Sequence, residues 1–161
     1  MHGFIYQISD VPVAKDDYIE SSELEEGDLF DYCSEVSARE MVSAINSLPK
    51  ELPATMFSCN KREITFLGGD KQFIQDWQVK LHKQIEHVQP EDLAEGRQGT
   101  TLYLYRIEKI LENVLGTSAL FVDKDYNGCY PVKSTDFLFD CIARFSRGDK
   151  FYIGGILDYH F

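Results

Sequence analysis

Two short patterns in this chain carry residue types that could do chemistry. Asp123-Lys124-Asp125-Tyr126-Asn127-Gly128 matches the opening half of a calcium loop, with Asp123, Asp125 and Asn127 as the oxygen ligands and a glycine at the sharp turn. The second half departs from that pattern. Ser134 stands where a bidentate Glu would close the shell, and Pro131 occupies the ninth position. Any metal affinity is therefore expected to be weak, and the preferred reading is a hairpin turn with hydrated acids, because Asn-Gly suits a tight primed turn.

The second pattern is Asp158-Tyr159-His160. Residues two apart on a strand share a face, so the carboxylate could orient the imidazole as a general base in a small hydrolase-type enzyme. No nucleophile motif accompanies the pair. His82 and His87 are five apart, a spacing that does not bring two helical side chains to one metal. Cys33, Cys59, Cys129 and Cys141 are widely spaced, and they read as small apolar residues of a reduced protein. No cofactor is expected, and the chain reads as leaning away from enzymes.

The most unusual feature is electrostatic. Between Asp10 and Glu40 lie eleven acidic and two basic residues, a net −9 out of −11 for all 161 residues. Such a surface disfavours nucleic acid and anionic membranes, which require cations. It suits a basic protein partner or a divalent ion. Tyr18, Leu24 and Phe30 interrupt the acids Glu20, Glu23, Glu25, Glu26, Asp28 and Asp31, which distinguishes the stretch from a disordered acidic tail. Together these nine residues form the expected partner-binding set, the apolar ones as contacts at its centre.

The elements that must hold these residues follow from periodicity. Phe4–Ile8 alternates as a strand, and residues 10–35 form an acidic excursion after it. Ser37-Ala38-Arg39-Glu40 is a capping box opening a helix that Pro49 and Pro53 should stop. Thr55–Cys59 and Glu63–Leu67 read as a hairpin. Asp70 is expected to cap a long helix with a stripe of Phe73, Ile74, Trp77, Leu81, Ile85 and Val88. Residues 89–99 read as a polar loop and Thr101–Leu115 as a helix. A second hairpin is expected at Ala119–Asp123 and Cys129–Val132, then a helix capped by Ser134, then one or two strands broken at Gly154-Gly155.

This order predicts an α+β fold: a single compact domain over residues 1–161, with a largely antiparallel sheet and helices packed mainly on one face. The first and last strands, both apolar, belong inside the sheet. No apolar run reaches the ~20 residues that span a bilayer, and the first residues lack a basic, then apolar, leader, so a cytoplasmic location is expected. In charge and size the chain is similar to small acidic inhibitors and immunity proteins that cover the cationic sites of toxins. The functional expectation is a non-enzymatic protein-binding module of that kind, with the enzyme and the weak cation binder as alternatives. A further possibility is that the acidic segment lies on Lys71, Lys80 and Lys83 of the long helix.

Overall fold

The computed structural model describes residues 2–96, 99–126 and 128–161. It is a single α+β fold in which a six-stranded, mostly antiparallel sheet is covered by helices on one face. The strands are β1 (His2–Ser9), β2 (Tyr32–Glu35), β3 (Phe57–Asn60), β4 (Glu63–Phe66), β5 (Leu120–Val122) and β6 (Lys150–His160). The helices are α1 (Ala38–Glu51), α2 (Asp70–Ile85), α3 (Pro90–Ala94), α4 (Thr100–Glu112) and α5 (Ser134–Arg144).

The order across the sheet is β3-β4-β6-β1-β5. β2 also pairs with β6, beyond the stretch that β4 uses. The apolar first and last strands are central, as their sequences predict. One side of the sheet packs Tyr6, Ile8, Phe121, Phe151, Ile153 and Ile156 against Ala44 and Leu48 of α1 and Phe137, Leu138 and Cys141 of α5. The other side presents Ile5, Leu120, Val122, Leu157 and Tyr159.

The Gly154-Gly155 pair does not break the last strand. It makes a bulge within β6: Tyr6 faces Ile156 and Ile8 faces Ile153, so three steps on β6 match two on β1. The extra residue switches the alternation, which keeps Ile153 and Ile156 on the same side.

Several local expectations are corrected. The expected second hairpin is instead β5, parallel to β1, with a lone antiparallel bridge from Phe121 to Val132. Asn127, expected in its turn, lies outside the described residues, and Gly128 has φ +66°. The polar loop contains α3, opened by Pro90 at its first position. Pro49 does not stop α1. It has no N–H to offer the Ile45 carbonyl, but the helix runs on to Glu51 and the Leu52 amide still reaches the Leu48 carbonyl.

Asp70 and Ser134 are first helical residues, not caps; Gly69 precedes Asp70 with φ +80°, and Lys133 precedes Ser134. The Ser37–Glu40 capping box forms in both directions. α2 has no fully buried residue. Its stripe meets α4 more than the sheet: Trp77 Nε1 donates to the Ile110 carbonyl at 3.0 Å, while Phe73 reaches the core.

Candidate functional site: the acidic cap

Residues 10–35 cover the sheet face opposite the helices. The segment forms 3₁₀ turns at Lys15–Asp17 and Ser21–Glu23 and ends in β2. Ile19, Leu24 and Phe30 are 3, 8 and 2 % exposed and pack on Ile5, Leu120, Leu157 and Tyr159. Each such burial contributes roughly 1.5–3 kcal/mol. Leu24 and Phe30, expected as contacts for a partner, thus fasten the segment to its own domain. Tyr18 is half-buried, with the Arg62 guanidinium 5.0 Å from its ring centre.

A polar bolt supplements these apolar plugs. Gln7, on the cap side of β1, is 4 % exposed. Its Oε1 accepts from the Ile19 amide at 2.9 Å and the Gly155 amide at 2.7 Å, and its Nε2 donates to the Asp17 carbonyl at 3.0 Å. One side chain therefore joins the sheet bulge to the cap. The glycines make room for it. A Cβ on residue 154 would lie 2.5 Å from Gln7 Oε1, and one on residue 155 would lie 2.8 Å from the Ile19 nitrogen.

Charge faces outward from this scaffold. All eleven acidic residues between Asp10 and Glu40 are exposed. Several secure the edges of the cap. Asp10 pairs with Arg144 Nη2 at 2.9 Å, Glu23 pairs with Lys124, and Asp31 lies 3.6 Å from His160 Nδ1. Glu35 Oε1 accepts from both the amide and the hydroxyl of Ser21, at 2.9 and 2.7 Å.

The Lys124 hydrogen bond holds the Glu23 carboxyl below its ordinary range, and the Ser21 hydroxyl does the same for Glu35. Asp16, Asp17, Glu25, Glu26 and Asp28 make no ion pair among the described residues. The segment's pairs go to Lys124, Arg144 and His160, and it lies on the sheet face away from the helical core, not on the Lys71, Lys80 and Lys83 face of α2. A groove of about 610 Å³ runs beside the cap, where Val11, Pro12, Asp16, Glu20 and Glu23 face Lys124 and Asp125.

Asp158 and His160 share a face of β6, but each is engaged elsewhere. Asp158 Oδ2 lies 3.1 Å from His2 Nδ1, across the strand pair. The His160 ring stacks on Tyr32 at 5.3 Å and 11°, and its Nδ1 faces Asp31. Neither lines any of the four cavities described for the chain.

Asp123 is 3 % exposed and fully committed. Its Oδ1 accepts the amides of Asp125 and Tyr126, both at 3.2 Å, and its Oδ2 accepts from Arg144 Nη1 at 2.7 Å. An arginine thus occupies the carboxylate that a calcium ion would need. Asn127 lies outside the described residues. Among the described residues no three metal-ligating side chains gather in one place. The four cysteines are free thiols, and burial pushes Cys33, Cys59 and Cys141 up, away from thiolate chemistry.

Sequence reasoning missed Gln7, Lys124 and Arg144, which hold the cap in place. The one available signal was a polar residue in the apolar alternation of the first strand. Searches against protein-family models, curated proteins and solved structures give no match to this chain.

Proposed function

We propose that this protein is a non-enzymatic binding module that engages a basic protein through the exposed carboxylates of the acidic cap. The observation that carries the reading is the division of labour within one segment: Ile19, Leu24 and Phe30 are spent on attachment, while the carboxylates stay exposed at the surface, and Asp16, Asp17, Glu25, Glu26 and Asp28 make no ion pair among the described residues. Self-repulsion of about nine negative charges opposes gathering them on one ordered surface. The same gathering steers a cationic partner and raises its association rate.

Asp16, Asp17, Glu25, Glu26 and Asp28 are the residues with charge to offer, and Glu20 and Glu23 line the adjoining groove. The mode is the one used by small acidic inhibitors and immunity proteins that cover a cationic site. The committed carboxylate of Asp123 and the separate partners of Asp158 and His160 weigh against the cation-binding and hydrolase alternatives.

The test is capture of a partner from native lysate, purification of that partner, and titration of the pair over a range of salt. The expected result is a basic protein whose affinity falls as salt rises and drops at least about tenfold in Glu25→Lys/Glu26→Lys/Asp28→Lys. An affinity indifferent to both salt and the triple reversal would sink the reading.

A further inference from the structure

We infer that the groove beside the cap seats an extended segment of the partner bearing arginine or lysine, added as a short strand at the open end of β1. The inference rests on the proposed binding role and names where, and in what form, the basic partner enters.

The groove opens where the sheet loses a neighbour. β1 pairs with β6 as far as Ser9, but β5 ends opposite Gln7. Beyond that point Val11, Pro12 and Val13 continue from β1 while Lys124 and Asp125 lead away from β5, and both stretches line the groove of about 610 Å³. Among the described residues, the edge of β1 that faced β5 has no strand beside it along Ile8 and Ser9, which also line the groove. An open strand edge presents main-chain donors and acceptors to an extended peptide.

Side-chain donors stand at the same place. Gln7 and Ser9 line the groove and are 4 and 8 % exposed. Gln7 Nε2 donates one N–H to the Asp17 carbonyl and carries a second. Ser9 Oγ accepts from the Val11 amide at 3.2 Å and keeps its own proton to give. Buried donors with a hydrogen to spare need an acceptor, and a peptide carbonyl is one.

Charge then selects the side chains. The lining sets Asp16, Asp17, Glu20, Glu23 and Asp125 against Lys124 alone, a net −4, and Lys124 is already held by Glu23. Asp16, Asp17 and Asp125 make no ion pair among the described residues. They come from two walls, the first two from the cap and the third from the chain beyond β5. At the ~30 Å³ that one water takes in the liquid, the groove has room for roughly twenty non-hydrogen atoms, about two basic residues. Their methylene stems can lie on Val11, Pro12 and Val13 while the charged ends reach the carboxylates.

Acetyl-Arg-Val-Arg-amide is the probe, since residues two apart in an extended chain share a face. In an NMR titration it should give saturable shifts at the Ile8 and Ser9 amides and at the Val11 and Val13 methyls. Acetyl-Glu-Val-Glu-amide should give none. Spermidine, which is cationic but has no main-chain carbonyl, should leave the two amides unmoved. Asp16→Asn/Asp17→Asn should weaken the arginine peptide at least about fivefold, as two exposed ion pairs are lost. Asp28→Asn, outside the groove, should not weaken it. Absence of saturable shifts at millimolar arginine peptide would overturn the inference. So would equal binding of the acidic peptide, equal movement of the amides by spermidine, or full affinity in the double aspartate variant. The peptide needs no captured partner, so the two readings fail separately. A partner that requires Glu25, Glu26 and Asp28, ignores Asp16→Asn/Asp17→Asn and is not displaced by the peptide would remove the groove from the interface and leave the binding role standing.

Discussion

The two faces of the sheet are covered by different means. On one, α1 and α5 lay aromatic and aliphatic side chains into a continuous core, with Phe121 and Phe137 rings stacked at 3.8 Å and Phe57, Phe145 and Phe151 around them. On the other, an irregular and strongly acidic segment does the work with three apolar plugs and one glutamine. A sheet whose strands alternate apolar residues to both sides needs a cover on both. The helical cover draws its strength from packed area. The cap buries only Ile19, Leu24 and Phe30 fully, and relies on a few specific attachments. That economy leaves most of its side chains exposed to the solvent, as the proposed binding role requires.

Breaking the helical cover should have the largest effect. Phe137 is 1 % exposed, and Phe137→Ala should lower the free energy of unfolding by about 3–5 kcal/mol, read as a fall in the urea midpoint for the whole molecule. Breaking the cap should cost less and act locally. Gln7→Ala strands the buried amides of Ile19 and Gly155, at about 1–3 kcal/mol each, but the chain can escape part of this by lifting the cap into water. We expect a loss of about 2 kcal/mol. Hydrogen exchange should accelerate at Ile19 and Leu24 while Leu48 and Leu138 stay protected. Gly155→Ala should reproduce that pattern, because the new Cβ meets the Ile19 backbone. If protection fell equally on both faces in Gln7→Ala, the cap would be part of one cooperative core and the contrast would be wrong.

The same contrast explains what could be read from the sequence. The helical face was legible because its determinants are local. Ser37 and Glu40 are three residues apart and announce a helix start, and the α5 stripe of Phe137, Leu138 and Cys141 repeats within a turn. The α+β class and the central place of β1 and β6 follow from such signals.

The cap was recognised as ordered, but its attachment was not. Gln7 finds its partners 10, 12 and 148 residues away, and no spacing rule reaches that far. Leu24 and Phe30 show the same limit. An apolar residue among acids declares that it will be covered, and not by what. β2 was missed because Tyr32–Glu35 is short and lacks alternation, its pairing being supplied by a β6 long enough to serve two neighbours in line.

Acid should separate the two faces more gently. Glu23 and Glu35 tie down the cap, and both carboxyls are held below their ordinary range, by Lys124 and by Ser21. A group with a lowered folded pKa binds fewer protons in the folded state than in the unfolded one. Its stabilising contribution is complete above the ordinary carboxylate value of about 4.3 and disappears as pH falls through the lowered folded value. Both residues are exposed, so the effect on global stability is small. The cap should still feel it first. Between about pH 5 and 3 the side-chain NMR signals of Leu24 and Phe30 should shift while those of Phe137 and Leu138 hold still. Glu23→Gln/Glu35→Gln removes both titrations, and should flatten the change at Leu24 and Phe30. A titration that persists in the double variant would place the acid-sensitive tie elsewhere in the cap, and one that moves Phe137 in step with Phe30 would show that the two covers respond as one.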